Sequence, residues 1–329
     1  MGEPISRLNP KIESRMQRVF LSEAVKLLLS IAMLFPERKH HKRGQQPYDY
    51  RLVMVLCILR ILLLKTYADY EIEMRADIRI CKILGSQILP GKSTIQRAMQ
   101  MMNIKILIEF NKLMLGDWMK RKLNLMLDAS GIGLIGRSIW YSIKIKKQIL
   151  RRDCDKIHLA ACSDVLLIMN WKITKWNKHD SPFLKILLAP FRIIGLIFAD
   201  TGYSSRKNID YITRKKGAGF IPFNKKATEK SKGYLGWKPL HNLWTKFKTI
   251  FDSIYHQRSK IETIFSVLKK RYGDMLYSKS RKMQHTEMSL RFIAYNVRVF
   301  LYWKYAMQNN MNLWIRAALR GYYLLILLK

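Results

Sequence analysis

Residues 123–131 read "LNLMLDASG", and there the apolar residues change period. Upstream, "SEAVKLLLSIAMLF" (22–35), "YDYRLVMVLCILRILLLK" (48–65) and "SQILPGKSTIQRAMQMMNIKILIEFNKLML" (86–115) space them as helices do. Pro90 and Gly91 interrupt the last of these, and Ser93 is the expected N-cap of a helix starting near Thr94. From residue 123 onward short apolar runs follow one another: "LNLMLDASG", "SIWYSIKIKK" (138–147), "KIHLAACSD" (156–164), "VLLIMNWKIT" (165–174) and "RIIGLIFAD" (192–200). Such runs read as strands. Helical segments are then interposed at 181–189, 204–216, 241–251, 255–273 and 285–308. Strands in a meander, then strands alternating with helices, predict an α/β or α+β sheet flanked by helices, behind an all-helical N-terminal region.

The chain has 329 residues with 60 Lys and Arg against 23 Asp and Glu, a net charge of +37, so its field favours a polyanion. Hydrophobic residues make up 49% of it, which excludes a disordered basic tail. A membrane span is not expected: "KLLLSIAMLFPER" is flanked by Lys26 and Glu37, and "RLVMVLCILRILLLK" is interrupted by Arg60, short of the ~18 uncharged apolar residues a span needs. The N-terminus lacks a basic start followed by an apolar stretch, so the expected location is the cytoplasm, on the nucleoid. Cys57, Cys81, Cys154 and Cys162 include no C-x-x-C pair, and reduced thiols are the simplest reading. Cys154, His158 and Cys162 share a spacing of four, but a fourth ligand is not evident, and the segment reads as a strand with a partly buried imidazole.

With so few acids, their positions are informative. Asp128 closes the apolar run "LNLML" and Asp200 closes "IIGLIFA". In a layered sheet the C-terminal strand ends face the ligand crevice, where two carboxylates can converge. Each Asp alone also fits turn chemistry, since Asp bonds its own backbone next to a Gly. Glu262 lies among Arg258, Lys260, Lys269, Lys270 and Arg271. Drawn as one helix over 255–271, Tyr255, Arg258, Glu262 and Lys269 share one stripe, and Ile261, Phe265, Leu268 and Tyr272 form an adjacent apolar one that would seat the helix on the sheet. Taken alone, Glu262 could be an ion-pair partner of Arg258 four residues away. Three hard oxygen ligands with open positions instead suit Mg²⁺ or Mn²⁺. Two such ions ~3.5–4 Å apart would serve an in-line phosphoryl displacement. Asp180 with Pro182 fits a helix start, and Asp153, Asp155 and Asp164 read as ion-pair partners.

At these residues the chain resembles the DDE transposases of bacterial and archaeal insertion sequences, of families four and five. Their signature of Tyr, two residues, Arg, three residues, Glu, six residues and Lys is matched at Tyr255, Arg258, Glu262 and Lys269. "LMLDASGIG" resembles the first Asp motif, with Asp-Ala-Ser-Gly where many relatives have Asp-Ser-Thr-Gly, and "FADTGYSSRKNIDYI" resembles the second. "IWYSIKIKK", "KIHLAACSD", "ITKWNKHDSPFLKILL", "KGAGFIPFNKKA" and "SLRFIAYNVRVFL" resemble further family segments. "YADYEIEMRADIRICKILG" and "LPGKSTIQRAMQMM" look like its helical DNA-binding region.

The resemblance implies an RNase H-like core over 121–306, a helix-turn-helix-like DNA-binding region over 1–120 and a C-terminal tail over 307–329. It further implies Asp128, Asp200 and Glu262 as catalytic, metal-binding residues holding two Mg²⁺ or Mn²⁺ ions. Tyr255, Arg258 and Lys269 would contact DNA phosphates. The implied activity is cleavage of double-stranded DNA at transposon ends and strand transfer to target DNA, by a homodimer and without a membrane partner. The rival readings are an RNase H-like nuclease that does not join strands and a non-catalytic DNA-binding protein or repressor.

Overall fold

The helical periodicity of the first third takes shape in a computed structural model that describes residues 7–37, 47–85, 89–134, 154–312 and 314–315. After a two-residue strand β1 (Arg7–Leu8) come α1 (Pro10–Gln17), α2 (Phe20–Ala32), α3 (Tyr50–Leu62), α4 (Tyr67–Ala76), α5 (Ile78–Leu84), α6 (Lys92–Met101) and α7 (Ile104–Leu115). Short polar side chains start several of them: Asp49 accepts from the Arg51 amide ahead of α3, and Asn103 from the Lys105 amide ahead of α7. Ser93 does not cap α6. The helix begins one residue before it, at Lys92, whose amide donates to Glu71 Oε2 of α4 at 2.9 Å, so the acceptor comes from a neighbouring helix.

The strands are β2 (Leu123–Leu134), β3 (Cys154–Cys162), β4 (Ile168–Lys175), β5 (Ile194–Ala199), β6 (Ala218–Phe220) and β7 (Met275–Leu276). They form a mixed sheet in the order β4-β3-β2-β5-β6, with β7 also paired to β2. β2, β3 and β4 run antiparallel; β5 runs parallel to β2, and β6 parallel to β5. This is the RNase H-like arrangement expected. A last short strand, β8 (Trp314–Ile315), pairs with β1. The expected strand at 138–147, Asp153 and the tail segment 319–329 lie outside the described residues.

Alternation along the strands sorts the core into two layers. Leu125 and Leu127 face the layer made by α8 (Phe183–Leu188) and α9 (Arg206–Arg214), with Leu184, Leu187 and Ile212 buried there. Met126, Ile132, Leu159 and Phe198 face the other layer, built by α10 (Trp237–Lys246), α11 (Lys248–Tyr255), α12 (Lys260–Tyr272) and α13 (Arg281–Gln308). The expected apolar stripe of α12 is buried at Ile261, Phe265, Leu268 and Tyr272, so the helix is seated on the sheet as its periodicity requires.

The 28 residues of α13 extend about 42 Å, enough to pack on β4 and also on α1, α2, α3, α6 and α7. One apolar cluster therefore runs from Ile12 to Ala306, joining the N-terminal helices to the sheet. Polar groups inside it are paired: Asn296 Nδ2 donates to Asn111 Oδ1 at 2.7 Å, and Asn296 Oδ1 accepts from the Ile168 amide at 2.8 Å. Buried Arg291 donates to Glu287 at 2.6 Å and to the carbonyls of Gly273 and Met275, which fixes β7 beside β2. No described helix is long and apolar enough to cross a membrane.

Candidate active site

Asp128 does not end its strand as expected; β2 continues to Leu134 because its pairing with β3 runs on through Gly133. What ends near Asp128 is the pairing with β5, whose last register pair is Leu127 with Ala199. β7 rejoins that edge of β2 only at Gly133. Residues 128–132 thus line a notch between β5 and β7, and alternation turns Asp128 toward the α12 layer together with Met126.

Asp200 follows β5 directly and is adjacent to Asp128 by register. Its Oδ1 accepts from the Thr201 amide at 2.7 Å, starting a 3-10 turn over Thr201–Tyr203 and leaving the side chain exposed. The turn reading of this Asp holds, and its strand places it next to Asp128 in register. Asp128 uses the same local device, its Oδ1 accepting from the Ala129 amide at 2.8 Å.

The stretch 255–271 is not one helix. Tyr255 ends α11, His256–Ser259 form a 3-10 turn, and α12 starts at Lys260. The turn packs against both β2 and β5. From it Arg258 Nη1 donates to Asp128 Oδ2 at 2.9 Å, while Nη2 donates to Glu262 Oε1 at 3.0 Å. Asp128 is 19% exposed at its side chain and Glu262 61%. Tyr255 is half-buried with its ring stacked on Phe251 at 5.6 Å. Lys269 lies two turns beyond Glu262 on the same face of α12.

Asp128, Tyr255 and Arg258 each feel the carboxylates around them. Burial raises the Asp128 carboxyl above its ordinary range; its Ala129 bond and Arg258 oppose this, and Asp200 and Glu262 push it up further. Burial pushes the Tyr255 phenol up to about 12, with Arg258 opposing and the same three carboxylates adding to the rise. For Arg258, burial works against the charge, but Tyr255, Asp128, Asp200 and Glu262 outweigh it and the guanidinium is held above its usual value.

Among the described residues no group of three His, Cys, Asp or Glu side chains is arranged to hold a metal ion, and the described residues include Asp128, Asp200 and Glu262 as well as Cys154, His158 and Cys162. Burial pushes the Cys162 thiol up to about 12 and the His158 imidazole down to about 4, so both are neutral parts of β3. At the notch, the donor set of Asp128, Asp200 and Glu262 is all carboxylate oxygen, which fits a hard divalent cation. In the present arrangement Arg258 supplies the positive charge between two of them.

Asp180 stands ahead of a helix start as expected, its carbonyl accepting from the Phe183 amide at 3.0 Å, but its side chain is not the cap. α8 starts at Phe183 without a side-chain cap, and the Asp180 carboxylate lies 2.6 Å from Lys156 Nζ and 3.5 Å from His158 Nδ1. Asp155 is an ion-pair partner as expected, fully buried against Arg281 and 2.9 Å from His285 Nε2. Tyr203, the Tyr of the A-D-x-x-Y pattern that starts at Ala199, is buried at the end of the turn after Asp200.

Residues 122–297 match the family described as Transposase DDE domain. No curated protein matches the chain. A solved structure, the cryo-EM structure of piggyBac transposase synaptic complex with hairpin DNA, is similar with 11% identity and a TM-score of 0.43, over 89% of this chain and 74% of that one.

Proposed function

Because the chain belongs to the transposase DDE domain family, we infer that it cleaves DNA at the ends of its own element in a metal-dependent reaction and transfers the freed 3′ ends to target DNA. The observation that supports this reading is that Arg258 donates to both Asp128 and the α12 residue Glu262, while Asp200 follows the strand that pairs beside Asp128.

Asp128, Asp200 and Glu262 are the residues that would hold two Mg²⁺ or Mn²⁺ ions. Bound there, the ions supply activation of a water or 3′-hydroxyl and stabilisation of the leaving oxygen. The chain's own part is to position. Asp128 and Asp200 are fixed by adjacent strands and by Oδ1 bonds to their own backbones, and the second oxygen of Asp128 accepts from Arg258. Arg258 is the natural bidentate partner of a DNA phosphate, and engaging one withdraws it from Asp128 and Glu262, so DNA arrival and release of the carboxylates are one event. Tyr255 and Lys269 flank it as further phosphate contacts. The partner is double-stranded DNA, as the net charge of +37 favours. The N-terminal helices of 1–120 would bind it apart from the notch, with 121–306 as the catalytic unit and 307–329 as a tail. Two element ends are brought together by a homodimer working on the nucleoid.

The test is a strand-transfer assay on labelled duplexes carrying the DNA that flanks the gene. Joined products with Mg²⁺ support the reading. Hydrolysis without joining favours a nuclease, and binding without cleavage favours a repressor.

A further inference from the structure

β4 leaves the sheet at the same end as β5, because β4 and β2 each run antiparallel to β3 and β5 runs parallel to β2. The chain then turns tightly: the Lys178 amide donates to the Lys175 carbonyl at 3.2 Å, which puts Trp176 and Asn177 at the tip. Lys156 of β3 steadies this turn, its Nζ donating to the Lys178 carbonyl at 3.4 Å and pairing with Asp180 at 2.6 Å. The same segment is tied to the turn that follows Asp200. Asn208 Nδ2 donates to the carbonyls of Ser181 and Tyr203, both at 2.9 Å, and a Cβ added to Gly202 would meet Asp180 Oδ2 at 3.5 Å. The loops after β4 and β5 therefore form one surface, on which Asp200 is exposed. Trp176 is 41% exposed there, whereas Trp118, Trp171, Trp237, Trp244 and Trp303 are all more buried, as this residue type usually is. Lys172, Lys175 and Lys178 around it are exposed, and Asp180, the only acid in 172–181, is paired with Lys156.

An open aromatic face among lysines is what holds a single nucleic-acid strand: the cations follow the backbone, and the ring takes a base of any identity. An intact duplex keeps its base faces inside the stack, so Trp176 can engage only a base that has left its pair. We propose that the turn of residues 175–178 grips an unpaired DNA strand beside the cut end, with Trp176 stacked on one base and Lys175 and Lys178 on the phosphates next to it. This rests on the reading of the protein as an enzyme that cuts DNA and frees a 3′ end.

The experiment is fluorescence anisotropy of labelled DNA in metal-free buffer, on the full-length protein as wild type, Trp176→Ala, Trp176→Phe and Lys175→Gln combined with Lys178→Gln. The probes are an intact duplex and the same duplex with a 3′ overhang of about six nucleotides. Wild type should bind the overhang DNA about tenfold more tightly than the intact one. Trp176→Ala should lose that margin and Trp176→Phe should keep most of it, both at an unchanged salt slope. The double lysine variant should lower the slope of log affinity against log salt on the overhang DNA by about 1.4, from two phosphates at about 0.7 each. A Trp176→Ala protein that keeps the margin overturns the proposal, and so does one that weakens on both DNAs equally, which marks a structural tryptophan. An unchanged slope in the double variant overturns the role of the lysines. Equal binding of both DNAs by wild type overturns this inference alone; binding of neither overturns the DNA reading and this inference with it.

Discussion

Replacing Arg258 with Ala tests how the notch is held together. Its two arms are unequal. The bond to Asp128, a carboxylate only 19% exposed, is a charged hydrogen bond of the kind that contributes about 1.5–3 kcal/mol. The bond to Glu262, 61% exposed and four residues along, contributes a few tenths of a kcal/mol in water. Removing the guanidinium also leaves Asp128, Asp200 and Glu262 repelling one another. The expected loss is therefore about 2 kcal/mol, nearly all from the Asp128 arm, or about 3 °C of melting temperature for a chain of 329 residues. Thermal unfolding by circular dichroism at fixed salt reads it, with Glu262→Gln as the comparison, expected within about 0.5 kcal/mol of wild type. Added Mn²⁺ should restore more stability to Arg258→Ala than to wild type, because a ligand that binds only the folded state stabilises it and the competing cation is gone. An Arg258→Ala protein melting within 1 °C of wild type, or an equal gain with Mn²⁺ in both, would refute the reasoning.

Three further outcomes are expected. The Asp128 carboxyl is raised above its unfolded value by burial, so its ionisation opposes folding as pH rises through the folded pKa; Asp128→Asn should melt higher than wild type at pH 7, with the gain vanishing below the ordinary carboxylate range, even as cleavage is abolished. His158 is depressed to about 4 by burial, with Asp180 and Lys156 acting in opposite senses, so the unfolded chain takes up a proton that the folded one refuses. Urea-denaturation stability should fall by about 3 kcal/mol between pH 6.5 and pH 4, and His158→Gln should flatten that slope. Asp155→Ala removes a fully buried carboxylate but leaves Arg281, 47% exposed, free to turn to solvent, so the loss should be about 2–4 kcal/mol in urea denaturation with the Mg²⁺ dependence of cleavage unchanged.

Periodicity made most of the fold legible. The change at "LNLMLDASG" does mark the first long strand, and the apolar stripe of α12 does seat it on the sheet. Apolarity reports burial, however, not strand length. Ala129, Ser130 and Gly131 looked like a turn after Asp128, yet they continue β2 because β3 pairs with them. The break between α11 and α12 is hidden for a related reason: a 3-10 turn preserves the spacing that lets Arg258 reach Glu262, so the stripe survives although the single helix does not. Capping and ion-pair choices were least legible, because the partners are distant in sequence. Glu71 serves Lys92, and Lys156 takes Asp180 away from the helix that follows it. The long helix α13 likewise reads as helix from its pattern, but nothing local says that it binds the N-terminal helices to the sheet.

The most direct test of the central reading is cleavage of end-labelled element DNA by wild type, Asp128→Asn, Asp200→Asn and Glu262→Gln, with binding of the same DNA measured in parallel. Mg²⁺-dependent nicking at the element end, lost in all three variants while binding persists, is the predicted result. Nicking that survives in any one of them would contradict the assignment of that carboxylate and the three-residue centre with it.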